Sequence, residues 1–510
     1  MRAVTSGEML TIEEQAEALF GLSTGLLMER AGQAVAEEAE RMLPDPGNIL
    51  IVCGKGNNGG DGFVAARLLS SSQYKYNITV ISLAQRDAFP PAARAAFDKI
   101  PPEVRVIVDF DLALLDEAII GSDLIIDAIF GFSLKGAVRG IAKDAIDRLN
   151  MSQKLILSVD MPSGLEADTG KVHGRGIKAD VTVTFTTPKV GMLLYPGSLY
   201  TGEFIVADIG IPSELIEQYA SFRYLERIDA YDLFPPRSIE AHKKSVGQVL
   251  VIAGSRGMPG AAALVGQAAY KMGAGLVAFA PPQSILPVLS GALIEAIAWP
   301  QAETGAGTLS LDAYESLIEL AVKYDVIAIG PGLALERETV ELIQKLVTDI
   351  EKPMVIDASA LTAIAENTEV LKRRRGKTVI TPHPGEMSRL LHVATEDILD
   401  DPLGFTIRAR DEFDVVAVLK GARTIISGPG ESTINMTGNP GLATAGTGDV
   451  LTGFIASLMA QGLDGYNASS VAVYLHGLAA DIATEDISEY CLMASDVIHY
   501  LPEAIVWILG

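Results

Sequence analysis

Cysteine is nearly absent: Cys53 and Cys491 are the only two in 510 residues. Two thiols build no disulfide framework and make a poor metal site, so a reducing compartment is the expected home. Basic residues are also in deficit, with 40 Lys and Arg against 64 Asp and Glu and a formal net charge of -24. Such a field repels nucleic acid and anionic membranes, and neither is expected as a partner. A polyphosphate ligand would need local help, which glycine-rich loops at helix N-termini can supply. No long unbroken apolar run occurs either. The longest candidate, Ala261 to Ala280, is interrupted by Gln267, Lys271 and three glycines, and reads as a buried helix followed by a strand, not a membrane span. The start MRAVTSGEML, with Glu13 and Glu14 close behind, lacks the basic head and apolar run of a signal peptide, so a cytoplasmic location is expected.

Apolar material for more than one core is present. Hydrophobic residues make up 49%, with 49 Gly and 25 Pro, as in folded α/β proteins. A single core stops growing at about 250–300 residues, so two or three domains are expected. Thr11 to Arg41 reads as two amphipathic helices divided near Gly21. Their stripe of Leu26, Leu27, Met28, Ala31 and Ala34 suits core or dimer packing, and a homo-oligomer is expected. From Asn48, short apolar runs alternate with helical stretches: ILIVCG, ITVISLA, VRVIVDF, LIIDAIFG, LILSVDMPSG and VTVTFTT. Alternation of this kind predicts a parallel sheet covered by helices on both faces. After GEFIVADIGIP the pattern breaks over Pro212 to Lys244, then restarts with QVLVIAGS, GLVAFAPP, DVIAIGPG, PMVIDASA, TVITPHPG, VVAVLKG and TIISGPG. Two doubly wound α/β domains are expected, 1–225 and 226–510.

The run ILIVC leads straight into Gly54-Lys55-Gly56-Asn57-Asn58-Gly59-Gly60-Asp61-Gly62 and then a helical stretch. The first six residues fit GxGxxG, which lets a backbone approach a pyrophosphate. A hydride-transfer enzyme should also carry an acid at the end of its second strand. Here ITVISLA runs into Gln85-Arg86 instead, with Asp87 only later. Asn57, Asn58 and Asp61 among the glycines offer oxygens for a cation or a ligand ring. Asp127 in IIDAIFG, and Asp160 with Ser163 in SVDMPSGL, close two further strands. In a doubly wound sheet such ends meet at one crevice.

GKGNNGGDG, DAIFG and VDMPSGLEADTG resemble the NAD(P)H-hydrate epimerase family over roughly residues 1–220, with a Rossmann-like fold. The resemblance implies that Asn57, Asn58, Gly59, Gly60, Asp61, the loop Gly131, Phe132, Ser133, Leu134, Lys135, Gly136 and Ala137, and Asp160 bind the hydrated dinucleotide. It implies a potassium ion on Asn58, Asp127 and Ser163, for which all-oxygen ligands are sensible. Asp160 is the preferred acid or base for interconverting the R and S epimers, with Asp61 second.

In the second half, NPGLATAGTGD at 439–449 opens an apolar helix. Small residues there leave N–H groups facing a common hollow suited to a phosphoryl group. Asp449 beside it can accept a proton from an attacking hydroxyl. Lys420, Gly421, Ala422, Arg423 and Thr424 follow another apolar run and could hold nucleotide phosphates. His383 stands between two prolines, Gly330-Pro331-Gly332 forms a close-approach loop, and His242 with the turn at 257–262 completes the candidate wall.

TPHPGEMSRL, LKGARTIIS and NPGLATAGTGDVLTGF resemble the nucleotide-dependent NAD(P)H-hydrate dehydratases, a ribokinase-like branch, over roughly 226–510. The resemblance implies that Lys420 to Thr424 and Gly448 contact the adenine nucleotide, while Ala261, Gly332, His383 and Asp449 contact hydrated NADH or NADPH. ADP is favoured over ATP, magnesium is expected at the phosphates, and only the S epimer is dehydrated. Two departures stand out: the family's HKG reads His242-Lys243-Lys244, and its DADALN reads DASALT, with Ser359 for an Asp. Two other classes remain open, a small-alcohol kinase releasing a stable phosphate ester, and a non-catalytic scaffold in the first half.

Overall fold

The computed structural model describes residues 1–108 and 111–510. The chain divides into two compact units, Arg2–Arg223, and Tyr224–Gly510 together with Met1.

The first unit holds β1 (Arg2–Ala3), β2 (Asn48–Cys53), β3 (Asn77–Ser82), β4 (Arg105–Ile107), β5 (Leu124–Ala128), β6 (Leu155–Val159), β7 (Val181–Phe185), β8 (Glu203–Ala207) and β9 (Phe222–Arg223). Short β1 and β9 pair antiparallel. The other seven form a sheet ordered β4-β3-β2-β5-β6-β7-β8, parallel throughout. Both faces are covered, which is why β2 is apolar at successive positions: Ile49 and Ile51 join one layer, Leu50 and Val52 the other. This is the Rossmann-like order, and the winding reverses beside β2. The loops leaving β2 and β5 there open a crevice.

The second unit holds β10 (Gln248–Ile252), β11 (Leu276–Phe279), β12 (Ile297–Ala298), β13 (Val326–Ile329), β14 (Met354–Ile356), β15 (Thr378–Ile380), β16 (Val416–Leu419), β17 (Ile425–Gly428) and β18 (Glu431–Ile434). Its order is β18-β17-β16-β15-β14-β13-β10-β11-β12. Strands β10 to β16 run parallel, and β17 and β18 add an antiparallel edge. Val249 and Val251 face one layer, Leu250 and Ile252 the other.

Local differences from the sequence expectation have physical causes. The first helix is Ser6–Phe20, starting earlier than Thr11 because Thr5 and Glu8 form a reciprocal capping box, and it ends at Gly21 with φ 68°. The second helix, Thr24–Met42, buries Leu27, Met28 and Ala31. Leu26 is 40% exposed. The span 212–244 contains two short helices, Ser213–Tyr219 and Arg227–Leu233. Ala261 to Ala280 is a helix, Pro259–Lys271, followed by β11. Of the VRVIVDF run, Asp109 and Phe110 lie outside the described residues. Among the described residues no helix is long and apolar enough to cross a membrane.

Candidate active sites

In the first unit, Gly56 caps the helix Asn57–Ser70 without any side-chain bond, leaving the first N–H groups open. The tightness of the turn explains its glycines: a Cβ on Gly54 would run into the Ile129 carbonyl, and one on Gly59 into the Gly54 carbonyl. Gly60 lies against Met28, whose Cε would stand 2.6 Å from an added Cβ. A cavity of about 240 Å³ opens beside this helix, and Asn57, Asp61, Phe132, Ser133 and Asp160 line it. Leu134 is half-buried, and Lys135, Gly136 and Ala137 are exposed further along the same loop.

Asp160 has φ 65°, an unusual conformation for a side-chain-bearing residue. Its carboxylate forms a buried ion pair with Lys189, side chains 6% and 1% exposed. Lys189 Nζ also donates to Thr184 Oγ1 at 3.1 Å. Lys189 and Glu13 both line the cavity and neither was singled out by the sequence. Burial raises the Asp61 carboxyl well above its usual range, Asp160 and Glu13 push the same way, and Lys189 opposes them.

Asp127 and Ser163 are joined directly, and Asn58 follows the glycine turn after β2. Asp127 is fully buried. It accepts from Ile129 N (3.2 Å), Ser158 Oγ (2.9 Å), Ser163 N (2.9 Å) and Ser163 Oγ (2.6 Å). Phe130 N donates to Ser163 Oγ at 2.8 Å. The Asn58 amide packs by Gly131, and both its polar atoms are buried without a partner. An orphaned buried amide and a buried carboxylate offer oxygens of the kind an all-oxygen monovalent cation site needs. Among the described residues no group of three His, Cys, Asp or Glu is gathered for a metal.

In the second unit, Gly446 at φ 94° caps the helix Thr447–Ala460, again without a side-chain bond, and Asp449 lies in its first turn. Lys420, just past β16, donates to Asp357 Oδ1 at 2.7 Å and lies 4.0 Å from Glu386 Oε2. Thr452 Oγ1 donates to the other Asp357 oxygen at 2.9 Å. A Cβ on Gly448 would stand 3.2 Å from Lys420 Nζ, so glycine lets the lysine reach the helix N-terminus. Burial raises the Asp449 carboxyl to about 7; Asp357 and Glu386 add to this and Lys420 opposes it. Burial works against the Lys420 charge, but Asp357, Glu386 and Asp449 more than offset it and its pKa is raised.

Other expected contacts fall around this centre. A Cβ on Gly332 (φ 68°) would meet the Ala261 Cβ at 2.8 Å, so this loop touches the first turn of the helix Pro259–Lys271. His383 caps the helix Pro384–Leu391, its Nδ1 accepting from Gly385 N at 3.0 Å. Glu386 accepts from His383 N at 2.9 Å. Gly421 and Ala422 are exposed. Arg423 Nη1 donates to the Met436 carbonyl at 2.7 Å, and Thr424 Oγ1 to the Gly421 carbonyl at 3.1 Å. The sequence pattern missed Asp357 and Glu386 as members of the charged centre. Asp357→Asn should lower the Asp449 pKa, since it removes one of the charges raising it. The acidic limb of the second unit's pH–rate profile is expected to move below about 7.

A Rossmann-like unit with carboxylates at its winding reversal, and a ribokinase-like unit with an aspartate behind a two-glycine anion hole, define a two-domain α/β enzyme acting on nucleotides. Residues 249–503 match the family model described as NAD(P)H-hydrate dehydratase, and residues 24–191 match that of the YjeF-related protein N-terminus. The chain is 41% identical to the bifunctional NAD(P)H-hydrate repair enzyme Nnr of Moorella thermoacetica, covering 98% of this chain and 96% of the relative. It is 38% identical to the enzyme of that name from Thermofilum pendens, covering 99% and 96%. A solved ribokinase-like superfamily protein of Enterococcus faecalis aligns over 56% of this chain and 96% of its own, with TM-score 0.50 and 28% identity. The chain belongs to the family of bifunctional NAD(P)H-hydrate repair enzymes.

Proposed function

We infer that the protein repairs hydrated NADH and NADPH, with residues 1–225 interconverting the R and S epimers and residues 226–510 dehydrating the S epimer with ADP or ATP. Asp449 supports this most directly, because a carboxyl at about 7 is poised to accept a proton near neutrality. The substrate hydroxyl attacks the terminal phosphorus of the nucleotide as Asp449 takes its proton, and the nucleotide leaves one phosphoryl shorter. The new C–O–P bond then breaks, the ring nitrogen lone pair forms C=N⁺, and loss of the neighbouring ring proton restores the dihydropyridine and frees phosphate. The N–H groups at Thr447–Asp449 and Lys420 face the phosphoryl group, and the loop Gly421–Thr424 takes the rest of the nucleotide. Magnesium, when bound, screens the transferring phosphates. His383, Ala261 and Gly332 border the hydrated ring.

In the first unit Asn58, Asp127 and Ser163 would hold potassium and brace the loop at 129–131. Asn57 to Asp61, Gly131 to Ala137 and Asp160 take the dinucleotide. The assignment includes a cytoplasmic homo-oligomer.

Recovery of dihydronicotinamide absorbance from the S epimer, with magnesium and ADP or ATP side by side, tests the second unit; ADP is expected to be faster. A stable phosphorylated product without recovered absorbance would make it a small-alcohol kinase. For the first unit, Asp160→Ala assayed on pure R epimer should lose interconversion, and an unchanged rate would remove Asp160 from the chemistry.

A further inference from the structure

The cap at Thr5 and Glu8 fixes where the first helix begins, and Met9, Ile12 and Ala16 fix its roll by facing the core. That roll leaves Glu13 half-buried and lining the cavity that Asp61, Asp160 and Lys189 also line. These four charged groups come from four separated segments. Asp160 is committed to Lys189. Asp61 lies within the glycine-loop helix and is 8% exposed. Glu13 has neither a hydrogen bond nor an ion pair with any described residue.

We propose that Glu13 is the catalytic acid and base of epimer interconversion, with the Asp160–Lys189 pair as the fixed charge frame around it. The proposal rests on the epimerase assignment of the first unit. In the hydrated ring the hydroxyl sits on the carbon bonded to the ring nitrogen. Protonated Glu13 gives its proton to that oxygen, the C–O bond breaks, and the nitrogen lone pair forms C=N⁺ while water leaves. Water then adds to the opposite face, the C=N⁺ pair returns to nitrogen, and the surplus proton goes back to Glu13. No atom or electron is gained or lost, so no further reactant is needed. The Asp160 carboxylate of the frame offsets the transient cation's charge.

One group that first donates and then accepts works best when its pKa matches the working pH. Burial raises Glu13 to about 7; Asp160 adds to the rise and Lys189 opposes it. Glu14 and Glu17 on its own helix, Asp61 on the glycine-loop helix, Asp160 after β6 and Lys189 after β7 are the charged groups facing the same cavity.

The test follows R-to-S interconversion by the full-length protein, without nucleotide, by chromatographic separation of the epimers across pH 5–9. Wild type should lose kcat/KM above about 7 as free Glu13 ionises. Glu13→Gln should slow interconversion about 100-fold or more and erase that inflection. Glu13→Asp, which keeps the carboxyl on a shorter arm, should retain measurable activity with a displaced inflection. An unchanged rate and inflection in Glu13→Gln, or an unmoved inflection in a folded Glu13→Asp, overturns the proposal. A wild-type protein that does not exceed spontaneous interconversion overturns the epimerase assignment itself.

Discussion

Asp449→Asn is expected to abolish most dehydration of the S epimer, by about 10²–10⁴-fold in kcat, while making the second unit more stable above neutral pH. The kinetic loss follows because Asn has the shape of Asp but cannot take the hydroxyl proton. The gain in stability follows from linkage. The Asp449 pKa is raised from 3.8 to about 7 in the folded protein, so the native state holds this proton more tightly than the unfolded chain does. Ionising Asp449 therefore costs stability, beginning above the unfolded pKa near 3.8 and reaching its full extent above about 7. Asn escapes that cost, so the thermal transition of the second unit should rise at pH 8 by the equivalent of about 0.5–2 kcal/mol and change little at pH 4. Equal shifts at both pH values would contradict the assignment.

His476 acts with the opposite slope in the same unit. Its Nε2 lies 3.0 Å from the Thr447 carbonyl, and burial lowers its pKa from 6.5 to about 4. The unfolded chain takes up the proton first, so stability falls as pH drops from 6.5 towards 4. An Asp449→Asn comparison below pH 6 thus needs wild type at the same pH.

Lys189→Met is the second large expectation. It strands the buried Asp160 carboxylate, and losing one partner of such a pair costs about 3–5 kcal/mol. Denaturant melts of the first unit should show that loss, and adding Asp160→Asn should restore much of it because no lone charge remains. The same substitution removes the positive charge that lowers Glu13. If the single variant folds, its Glu13 inflection should therefore move above 7.

The strands were legible because both sheets are buried on two faces, so successive apolar residues in ILIVC and VLVIA mark them without ambiguity. The anion holes were legible because Gly54 and Gly59 admit no side chain where they stand and Gly446 turns at φ 94°. Asp449 was legible for the same reason, being tied to its glycines in sequence. Glu13 was not, because a carboxylate on an amphipathic helix looks like its solvent face until the cavity is seen. Lys189 stood alone in TTPKVG, and only the fold brings it to Asp160, which is 29 residues earlier. Asp357 and Glu386 were visible inside DASALT and PGEM, but their meeting at Lys420 depends on the parallel order of β14, β15 and β16.

The Asp160–Lys189 pair also shapes how this sequence can drift. A chain of ordinary stability has about 5–15 kcal/mol to lose, and either single replacement passes through a state lacking about 3–5 of them. A lineage near the low end of that range cannot change either position alone and stay folded. In such a lineage the pair acts as an evolutionary ratchet, released only by stability gained elsewhere.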